Sequence, residues 1–268
     1  MSRNKDINTK FLDRFLRINL TQDNNMEKIL IIGYGNFGKL MTSQLKDSFD
    51  IFIADKKPIE NFDFNKIITA ETVSSDLMKD IKAVIFAVPV QFLQEAVDEW
   101  RDKIHKHSFI LDVSSVKVYP LNILKKSFSG YKIIGTHPLF GPESVAKKIS
   151  DLKVVVCNIS ATKKDLQSLT NLINKLNYEV IEMTADEHDK QIAQVQVLSH
   201  FIGFALREFD LKSDLPLKTL AYRKLYDLYE NILNDTDELF YTIQHYNPYA
   251  KKMRERFIDS LIKLNKKL

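Results

Sequence analysis

Residues 29–38 have the sequence Ile-Leu-Ile-Ile-Gly-Tyr-Gly-Asn-Phe-Gly, a short apolar run followed by three glycines with the spacing G-x-G-x-x-G. The chain of 268 residues has only seven glycines, so three of them within six positions mark a place where the backbone needs unusual freedom or a close approach. The apolar run is typical of a buried strand, and the residues after the glycines suit a helix. The stretch therefore predicts a strand, a tight turn and a helix in succession.

This arrangement is typical of a dinucleotide-binding loop, in which each glycine has its own task. Gly33 allows the tight turn, Gly35 lets a pyrophosphate approach the backbone, and Gly38 lets the helix pack against the strand. Asp55 ends the next apolar run, where such sites place an acid that binds the ribose hydroxyls, and this favours NAD over NADP. The two lysines after Asp55 keep NADP as the less favoured alternative, and an ordinary strand–turn–helix connection is the alternative for the glycines. The cofactor-binding residues predicted from this motif are Gly33, Tyr34, Gly35, Asn36, Phe37, Gly38 and Asp55.

Short apolar runs continue to alternate with helical patterns along the first two thirds of the chain. Such alternation predicts an α/β fold, a Rossmann-type doubly wound, mostly parallel sheet with helices on both faces. The predicted strands are Lys28–Ile32, Asp50–Ala54, Ala83–Val88, Phe109–Val113, Tyr131–Ile134, Lys153–Val156 and Tyr178–Ile181. Only helical patterns follow, at Asp186–Phe209, Leu217–Leu233 and Tyr249–Leu268. We expect an N-terminal extension at 1–26, a dinucleotide-binding domain at 27–183 and an all-helical C-terminal domain at 184–268.

The composition excludes several classes of protein. A hydrophobic share of 44% and a charged share of 28% are those of a folded globular chain. No apolar stretch is long enough for a membrane span, and residues 1–20 lack the apolar core of a signal peptide, so we expect a cytoplasmic protein. The single cysteine, Cys157, excludes an internal disulfide and a thiolate metal cluster, and no metal site is expected. Positive charge is in excess only at the two ends of the chain, so nucleic acid is not an expected partner.

A histidine in a stiff loop is the candidate catalytic group. Residues 133–142 have the sequence Ile-Ile-Gly-Thr-His-Pro-Leu-Phe-Gly-Pro, which places His137 just past a predicted strand, where the crevice of an open α/β sheet lies. The two flanking prolines stiffen the loop, and Gly141 permits an otherwise disfavoured turn. An imidazole with an ordinary pKa of ~6.5 can accept a proton near neutrality. We therefore predict that His137 is catalytic, with a structural histidine as the alternative.

A second polar segment ends the preceding predicted strand at the same edge. Residues 112–117 have the sequence Asp-Val-Ser-Ser-Val-Lys. The hydroxyl of Ser115 could orient an imidazole or a substrate, and the ammonium of Lys117 could hold a carboxylate. The alternative for the serines is that they cap the following turn.

Six motifs occur in the order seen in prephenate dehydrogenases. The first three are Gly-Tyr-Gly-Asn-Phe-Gly from Gly33, Ala-Val-Pro from Ala87 and Asp-Val-Ser-Ser-Val-Lys from Asp112. The other three are Gly-Thr-His-Pro-Leu-Phe-Gly-Pro from Gly135, Glu-His-Asp from Glu187 and Gln-Val-Leu-Ser-His-Phe from Gln196. From about residue 27 to its C-terminus the chain resembles most the dehydrogenase part of the bacterial proteins that fuse this activity to chorismate mutase. The loop with His137 and two prolines is the most specific of these motifs.

The resemblance implies an NAD(P)-dependent oxidative decarboxylation of prephenate, or of its amino analogue arogenate, in tyrosine biosynthesis. It also implies a homodimer built through the helical domain. In this family pattern His137 accepts the hydrogen bond of the ring hydroxyl as hydride leaves, and Ser115 assists the histidine. Val88 and Pro89 belong to the cofactor site, and the residues on the substrate side are Lys117, Gln196 and His200.

The chain departs from the family pattern at one position that matters for the substrate. The fused proteins carry an arginine that holds the ring carboxylate, and Asn231 stands at that position here. An amide lacks the charged bidentate grip of a guanidinium, and Arg223, two turns earlier, is the other candidate for this contact. Three hypotheses follow: a prephenate dehydrogenase, a dehydrogenase of arogenate or another hydroxy acid, and an inactive NAD-binding sensor. His188 and Asp189 are expected to be structural, since neighbours on a helix point to different faces.

Overall fold

A computed structural model of the chain describes residues 26–59, 66–212, 214–233 and 235–268. Except for Met26, the predicted N-terminal extension lies outside these residues. They form a seven-stranded sheet with the strand order β2-β1-β3-β4-β5-β6-β7. Neighbouring strands are parallel except β5 and β6, which are antiparallel. The strands are β1 (Lys28–Ile32), β2 (Asp50–Ala54), β3 (Ile81–Phe86), β4 (Phe109–Asp112), β5 (Lys132–Pro138), β6 (Lys153–Asn158) and β7 (Glu179–Glu182).

Helices connect the strands and make up the C-terminal region. A 3-10 turn at Val90–Phe92 precedes the helix at Leu93–Trp100, and a π-helical turn at Ala193–Val197 joins the two helices that follow the last strand. The helices between the strands are α1 (Asn36–Leu45), α2 (Ser75–Asp80), α3 (Leu93–Trp100), α4 (Val118–Ser127), α5 (Pro142–Ala146) and α6 (Lys163–Lys175). Those after the last strand are α7 (Ala185–Ile192), α8 (Leu198–Glu208), α9 (Leu220–Leu233), α10 (Asp237–Tyr246) and α11 (Ala250–Asn265).

The sheet is buried on both faces because helices cover each of them. In β1, Leu30 and Ile32 pack into one apolar cluster, whereas Ile29 and Ile31 pack into another on the opposite face. Alternate side chains of a strand point to opposite faces, so a strand covered on both sides needs a continuous apolar run. The predicted Rossmann-type doubly wound, mostly parallel sheet is confirmed, and helices follow it as expected.

The glycine-rich loop lies where the strand order reverses, because β2 and β3 flank β1 on opposite sides. The backbone N–H of Gly33 donates to the carbonyl oxygen of Ala54 over 2.8 Å, and that of Ala87 donates to Ile32 over 2.8 Å. The carboxyl ends of three strands therefore meet at the loop. This is the position of the ligand crevice in open α/β sheets.

The fifth strand differs from the prediction and takes His137 into the sheet. The apolar run Tyr131–Ile134 predicted a strand that ends before the histidine, but β5 continues to Pro138. It continues because the antiparallel β6 extends the ladder, with His137 opposite Val155. The expectation that Gly141 permits a disfavoured turn was wrong, since its φ of −111° suits any residue.

The C-terminal region is helical, but its helices differ in detail from the predicted ones. The pattern at 186–209 is divided between α7 and α8, and α10 lies between the second and third predicted helices. The domain boundaries at residues 26 and 183 stay predictions. Among the helices of the described residues, none is both long and apolar enough to span a bilayer.

Candidate active site

The three glycines of the loop have different surroundings. Gly33 has a φ of +103°, and a Cβ there would lie 2.6 Å from the carbonyl oxygen of Ala87. A Cβ on Gly38 would collide with the carbonyl oxygen of Gly33. At Gly35 a Cβ would meet no atom of the described residues within 4 Å. The fold itself therefore requires Gly33 and Gly38, whereas the open space at Gly35 fits a phosphate approaching the backbone.

The Asp55 carboxylate is held beside this loop. Its Oδ2 accepts a 2.6 Å hydrogen bond from the backbone N–H of Tyr34, and its Oδ1 accepts one of 2.8 Å from that of Lys57. The ammonium of Lys56 pairs with Glu95 of α3. The first of the two lysines after Asp55 thus has an acidic partner within the protein.

The other predicted cofactor residues border the same crevice. Asn36 is exposed and begins α1, whose first N–H groups lack a side-chain cap, and Phe37 beside it is partly buried. Val88 and Pro89 follow the end of β3, separated from it only by Ala87. A helix N-terminus beside a glycine-rich turn is suited to bind a phosphate.

A chain of three buried polar side chains joins the end of β5 to the start of α7. Nδ1 of His137 lies 2.8 Å from Nε2 of His188, and Nδ1 of His188 lies 2.7 Å from Oδ1 of Asp189. Within the described part of the protein, Nε2 of His137 has no hydrogen-bond partner. The expectation that His188 and Asp189 point to different faces was wrong, because this bond brings their side chains together. Their expected structural role stays a prediction.

The Asp189 carboxylate is anchored by backbone groups at the start of α4. Oδ1 accepts a 2.8 Å hydrogen bond from the N–H of Lys117, and Oδ2 accepts one of 2.9 Å from the N–H of Val118. The carbonyl oxygen of Asp189 accepts a third bond, from the amide of Asn247, over 2.8 Å. A carboxylate at a helix N-terminus also interacts favourably with the helix dipole.

His137 and His188 are both held in the neutral form. His137 is 4% exposed and His188 1% exposed. Burial lowers the pKa of His137 well below its ordinary value, and the charges of His188 and Lys117 lower it further. Burial also lowers the pKa of His188, against the opposing effect of Asp189. A neutral imidazole keeps one nitrogen as a hydrogen-bond acceptor, which a proton acceptor requires.

The structure places Lys117 inside the protein. Its side chain is fully buried, and its ammonium pairs with the equally buried Asp112. The ammonium also donates to the carbonyl oxygen of Thr136 over 2.7 Å. The ammonium of Lys117 therefore takes part in an ion pair that ties β4 to β5, and its contact with a substrate carboxylate stays a prediction.

The two serines of the same segment have different contacts. Ser114 bonds to Oδ1 of Asp112 through both its N–H, at 3.0 Å, and its hydroxyl, at 2.5 Å. Ser115 is partly buried and makes no hydrogen bond to His137 among the described residues. The side chain that contacts His137 is His188, for which the sequence predicted no catalytic part.

Gln196 and His200 form a second polar group, on the π-helical turn and α8 that continue from α7. Oε1 of Gln196 and Nδ1 of His200 are buried without a hydrogen-bond partner in the described residues. Nε2 of His200 lies 3.4 Å from Oδ2 of Asp235, and burial lowers the pKa of His200 to about 4. Burial and the nearby Glu143 raise the pKa of Asp235. Unpartnered buried atoms of this kind are suited to bind a polar ligand.

The two candidates for the carboxylate contact are on α9. Arg223 and Asn231 are both exposed there, and neither forms a hydrogen bond with the His137 or His200 groups in the described ranges. Their contact with a substrate carboxylate stays a prediction.

Comparisons with known proteins test the resemblance stated above. Residues 53–182 match the family model described as prephenate dehydrogenase, nucleotide-binding domain, and residues 205–268 match one described as TYRAAT1-like, C-terminal domain. The resemblance to the prephenate dehydrogenase family is thereby confirmed. The chain is 27% identical over 266 residues to arogenate dehydrogenase 1, chloroplastic, of Arabidopsis thaliana, covering 96% of this chain and 41% of that protein. Arogenate dehydrogenase 2, chloroplastic, of the same plant is 28% identical over 255 residues, covering 90% of this chain and 70% of that protein.

Solved structures in the prephenate dehydrogenase family share the fold. A crystal structure of prephenate dehydrogenase from A. aeolicus, in complex with hydroxyphenyl propionate and NAD+, superposes with a TM-score of 0.71 at 19% identity. The match covers 90% of each chain. At this identity the likeness concerns the fold alone, which is the nucleotide-binding sheet followed by helices.

Sequence reasoning missed the polar partners of the predicted site residues. His188 and Asp189 stood in the quoted motif Glu-His-Asp of the prephenate dehydrogenase resemblance, and that was the signal for them. Asp235 is in none of the six motifs that the chain shares with prephenate dehydrogenases, and only its contact with His200 associates it with the site.

Proposed function

We propose that this chain catalyses the NAD-dependent oxidative decarboxylation of a cyclohexadienol of the prephenate and arogenate type, with His137 as the proton acceptor. The observation that carries the proposal is the geometry of His137. Its imidazole is buried and neutral, Nδ1 is bound to His188, and Nε2 has no partner among the described residues. His137 lies near the carboxyl end of β5, and β5 is parallel to β4. The carboxyl ends of the parallel strands β1, β2 and β3 border the glycine-rich loop at the same edge of the sheet.

The glycine loop and Asp55 support a nicotinamide dinucleotide as cofactor. The open space at Gly35 admits the pyrophosphate, and Asp55 accepts hydrogen bonds from the ribose. A carboxylate repels a 2′-phosphate, and Lys56 already pairs with Glu95, so NAD is favoured over NADP. When bound, NAD supplies the hydride acceptor.

His137 takes the hydroxyl proton at Nε2 while the carbinol carbon loses hydride, so that a carbonyl forms. The C–C bond to the ring carboxylate then breaks and carbon dioxide leaves, while the electron pair of that bond stays in the ring. The ring becomes aromatic, and the carbonyl oxygen becomes a phenolate oxygen that takes up a proton. A positioned general base of this kind contributes roughly 10²–10⁴-fold to the rate. The role proposed for Ser115, which is partly buried and two residues before Lys117, is a contact with the same hydroxyl when substrate binds.

Arogenate is the favoured substrate because the polar group around His200 is acidic. Asp235 faces His200, and Glu143 lies near enough to raise the pKa of Asp235. Arogenate carries an ammonium where prephenate carries a keto group, and a cation relieves the repulsion between two carboxylates. Gln196 and His200 supply hydrogen bonds to the same end of the substrate, and prephenate is the second candidate.

A homodimer through the helical region accompanies this function. Large apolar side chains are exposed on two of its helices, namely Leu220 and Leu233 on α9 and Leu261 and Ile262 on α11. Association of two copies removes such surface from water. Light scattering at micromolar concentration tests the dimer, and a monomer contradicts it.

The absorbance of NADH, followed with arogenate and prephenate side by side, tests the function. We expect turnover with NAD and a higher kcat/KM for arogenate. Turnover of prephenate alone overturns the choice of substrate. Binding of NAD without NADH formation from either compound overturns the enzyme and favours the inactive sensor.

A further inference from the structure

We infer that Asp189 and His188 are positioning residues that select the tautomer of His137, so that its Nε2 carries a lone pair towards the substrate. The inference rests on the proposed function, in which His137 is the proton acceptor. It assigns a task to two buried side chains that do not themselves touch the substrate.

The first step concerns the proton on His188. Asp189 accepts hydrogen bonds from two backbone N–H groups at the start of α4, one on each carboxylate oxygen. A carboxylate in such a site is an acceptor only. The 2.7 Å contact with Nδ1 of His188 is therefore a hydrogen bond that His188 donates.

The second step concerns the tautomer of His137. A neutral imidazole that donates from Nδ1 has a lone pair at Nε2. Nε2 of His188 consequently accepts a hydrogen bond over 2.8 Å from Nδ1 of His137. His137, which is also neutral, then carries its lone pair at Nε2, the nitrogen without a partner in the described chain.

The third step is the consequence for catalysis. Without an acceptor at its Nδ1, His137 would populate both tautomers, and only one of them can take a proton at Nε2. In a related arrangement, where a carboxylate orients a catalytic imidazole, the wrong tautomer lowers kcat by ~10⁴. After proton transfer the charge on His137 faces His188 and the Asp189 carboxylate behind it, which favours the charged form.

Two variants of His188 separate this role from packing. In His188→Gln the amide oxygen accepts from His137 and the amide NH2 donates to Asp189, so the tautomer is retained. In His188→Phe the volume is filled but no acceptor remains. We expect kcat to fall roughly 10²-fold in His188→Phe with little change in KM, and to stay within roughly fivefold of the wild type in His188→Gln.

Nitrogen NMR of the full-length protein labelled with 15N-histidine reads the tautomer directly, with His137→Asn used to assign the signal. We expect a protonated Nδ1 and an unprotonated Nε2 on His137 in the wild type and in His188→Gln, and a mixture in His188→Phe. A protonated Nε2 in the wild type overturns the inference, as does a His188→Phe variant with unchanged kcat. If His188→Phe does not fold, the spectra of the wild type and of His188→Gln still show which nitrogen of His137 is protonated. If NMR shows the expected tautomer but neither substrate reacts, the proposed function fails while the assignment of the tautomer stands.

Discussion

Nδ1 of His137 lies 2.8 Å from Nε2 of His188, and this bond joins β5 of the sheet to the first helix of the C-terminal region. The same helical run continues through the π-helical turn, where Gln196 has an unpartnered polar atom, into α8, where His200 has another. One helical run therefore carries both His188, the partner of the proton acceptor, and the polar group proposed for the substrate. A movement of this helix relative to the sheet changes both at once.

Replacement of the proton acceptor should reduce turnover without affecting the cofactor. In His137→Asn we expect kcat to fall roughly 10²–10⁴-fold, because general base catalysis has this magnitude. The affinity for NAD, measured by fluorescence titration, should stay within about twofold. His105→Asn is a matched control, since His105 is exposed on the surface and should leave both quantities unchanged. Equal losses of kcat and NAD affinity would count against the assigned role.

The pH dependence of kcat/KM should reflect the lowered pKa of His137. Burial and then the charges of His188 and Lys117 lower this pKa, and the imidazole accepts a proton only when it is neutral. The acid side of the profile should therefore have its midpoint below the ordinary imidazole value of ~6.5, and this group causes no loss of rate as the pH rises. A midpoint at or above pH 6.5 would contradict a buried neutral base.

Local patterns were sufficient to predict the sheet and the cofactor loop. The strands Lys28–Ile32 and Asp50–Ala54 have the predicted bounds, because both are apolar runs in a sheet covered on two faces. The roles of Gly33 and Gly38 also follow from short-range contacts, with each other and with the end of β3. Such features depend on neighbours along the chain or on a known arrangement of strand ends.

The polar network of the site could not be predicted in this way because it depends on contacts distant in sequence. His137 and His188 are 51 positions apart, and the N–H of Lys117 and its acceptor Asp189 are 72 apart. Lys117 looked like a carboxylate ligand because lysines are usually exposed, but it has a buried partner in Asp112. Only the packing of α7 against the sheet brings these groups together.

The acidic group around His200 should distinguish arogenate from prephenate. In Asp235→Asn the charge that favours the substrate ammonium is removed, so KM for arogenate should rise about tenfold while KM for prephenate changes little. Asp237→Asn is the matched control, because Asp237 is exposed and pairs with Arg207 instead. The measurement is the ratio of kcat/KM for the two substrates, and an unchanged ratio in Asp235→Asn would refute the assignment.

His200 should make the fold less stable in acid. Its pKa is lowered from 6.5 to about 4 by burial. Between these values the unfolded chain binds a proton that the folded chain does not, so stability falls as the pH falls through this window. From pH 7 to pH 5 the loss from this group is roughly 2 kcal/mol. Urea unfolding of the wild type and His200→Gln at both pH values measures it, and identical slopes with pH would contradict the shift.

Two glycines of the cofactor loop should respond in opposite ways to the same substitution. In Gly35→Ala the new methyl group meets no atom of the described residues within 4 Å, so the melting temperature should be unchanged while the affinity for NAD falls at least tenfold. In Gly38→Ala the methyl group collides with the carbonyl oxygen of Gly33, so the fold itself should lose stability. Calorimetric melting and NAD titration of both variants give the comparison. Unchanged NAD affinity in Gly35→Ala would mean that no pyrophosphate approaches this residue, and the cofactor site would have to lie elsewhere on the sheet.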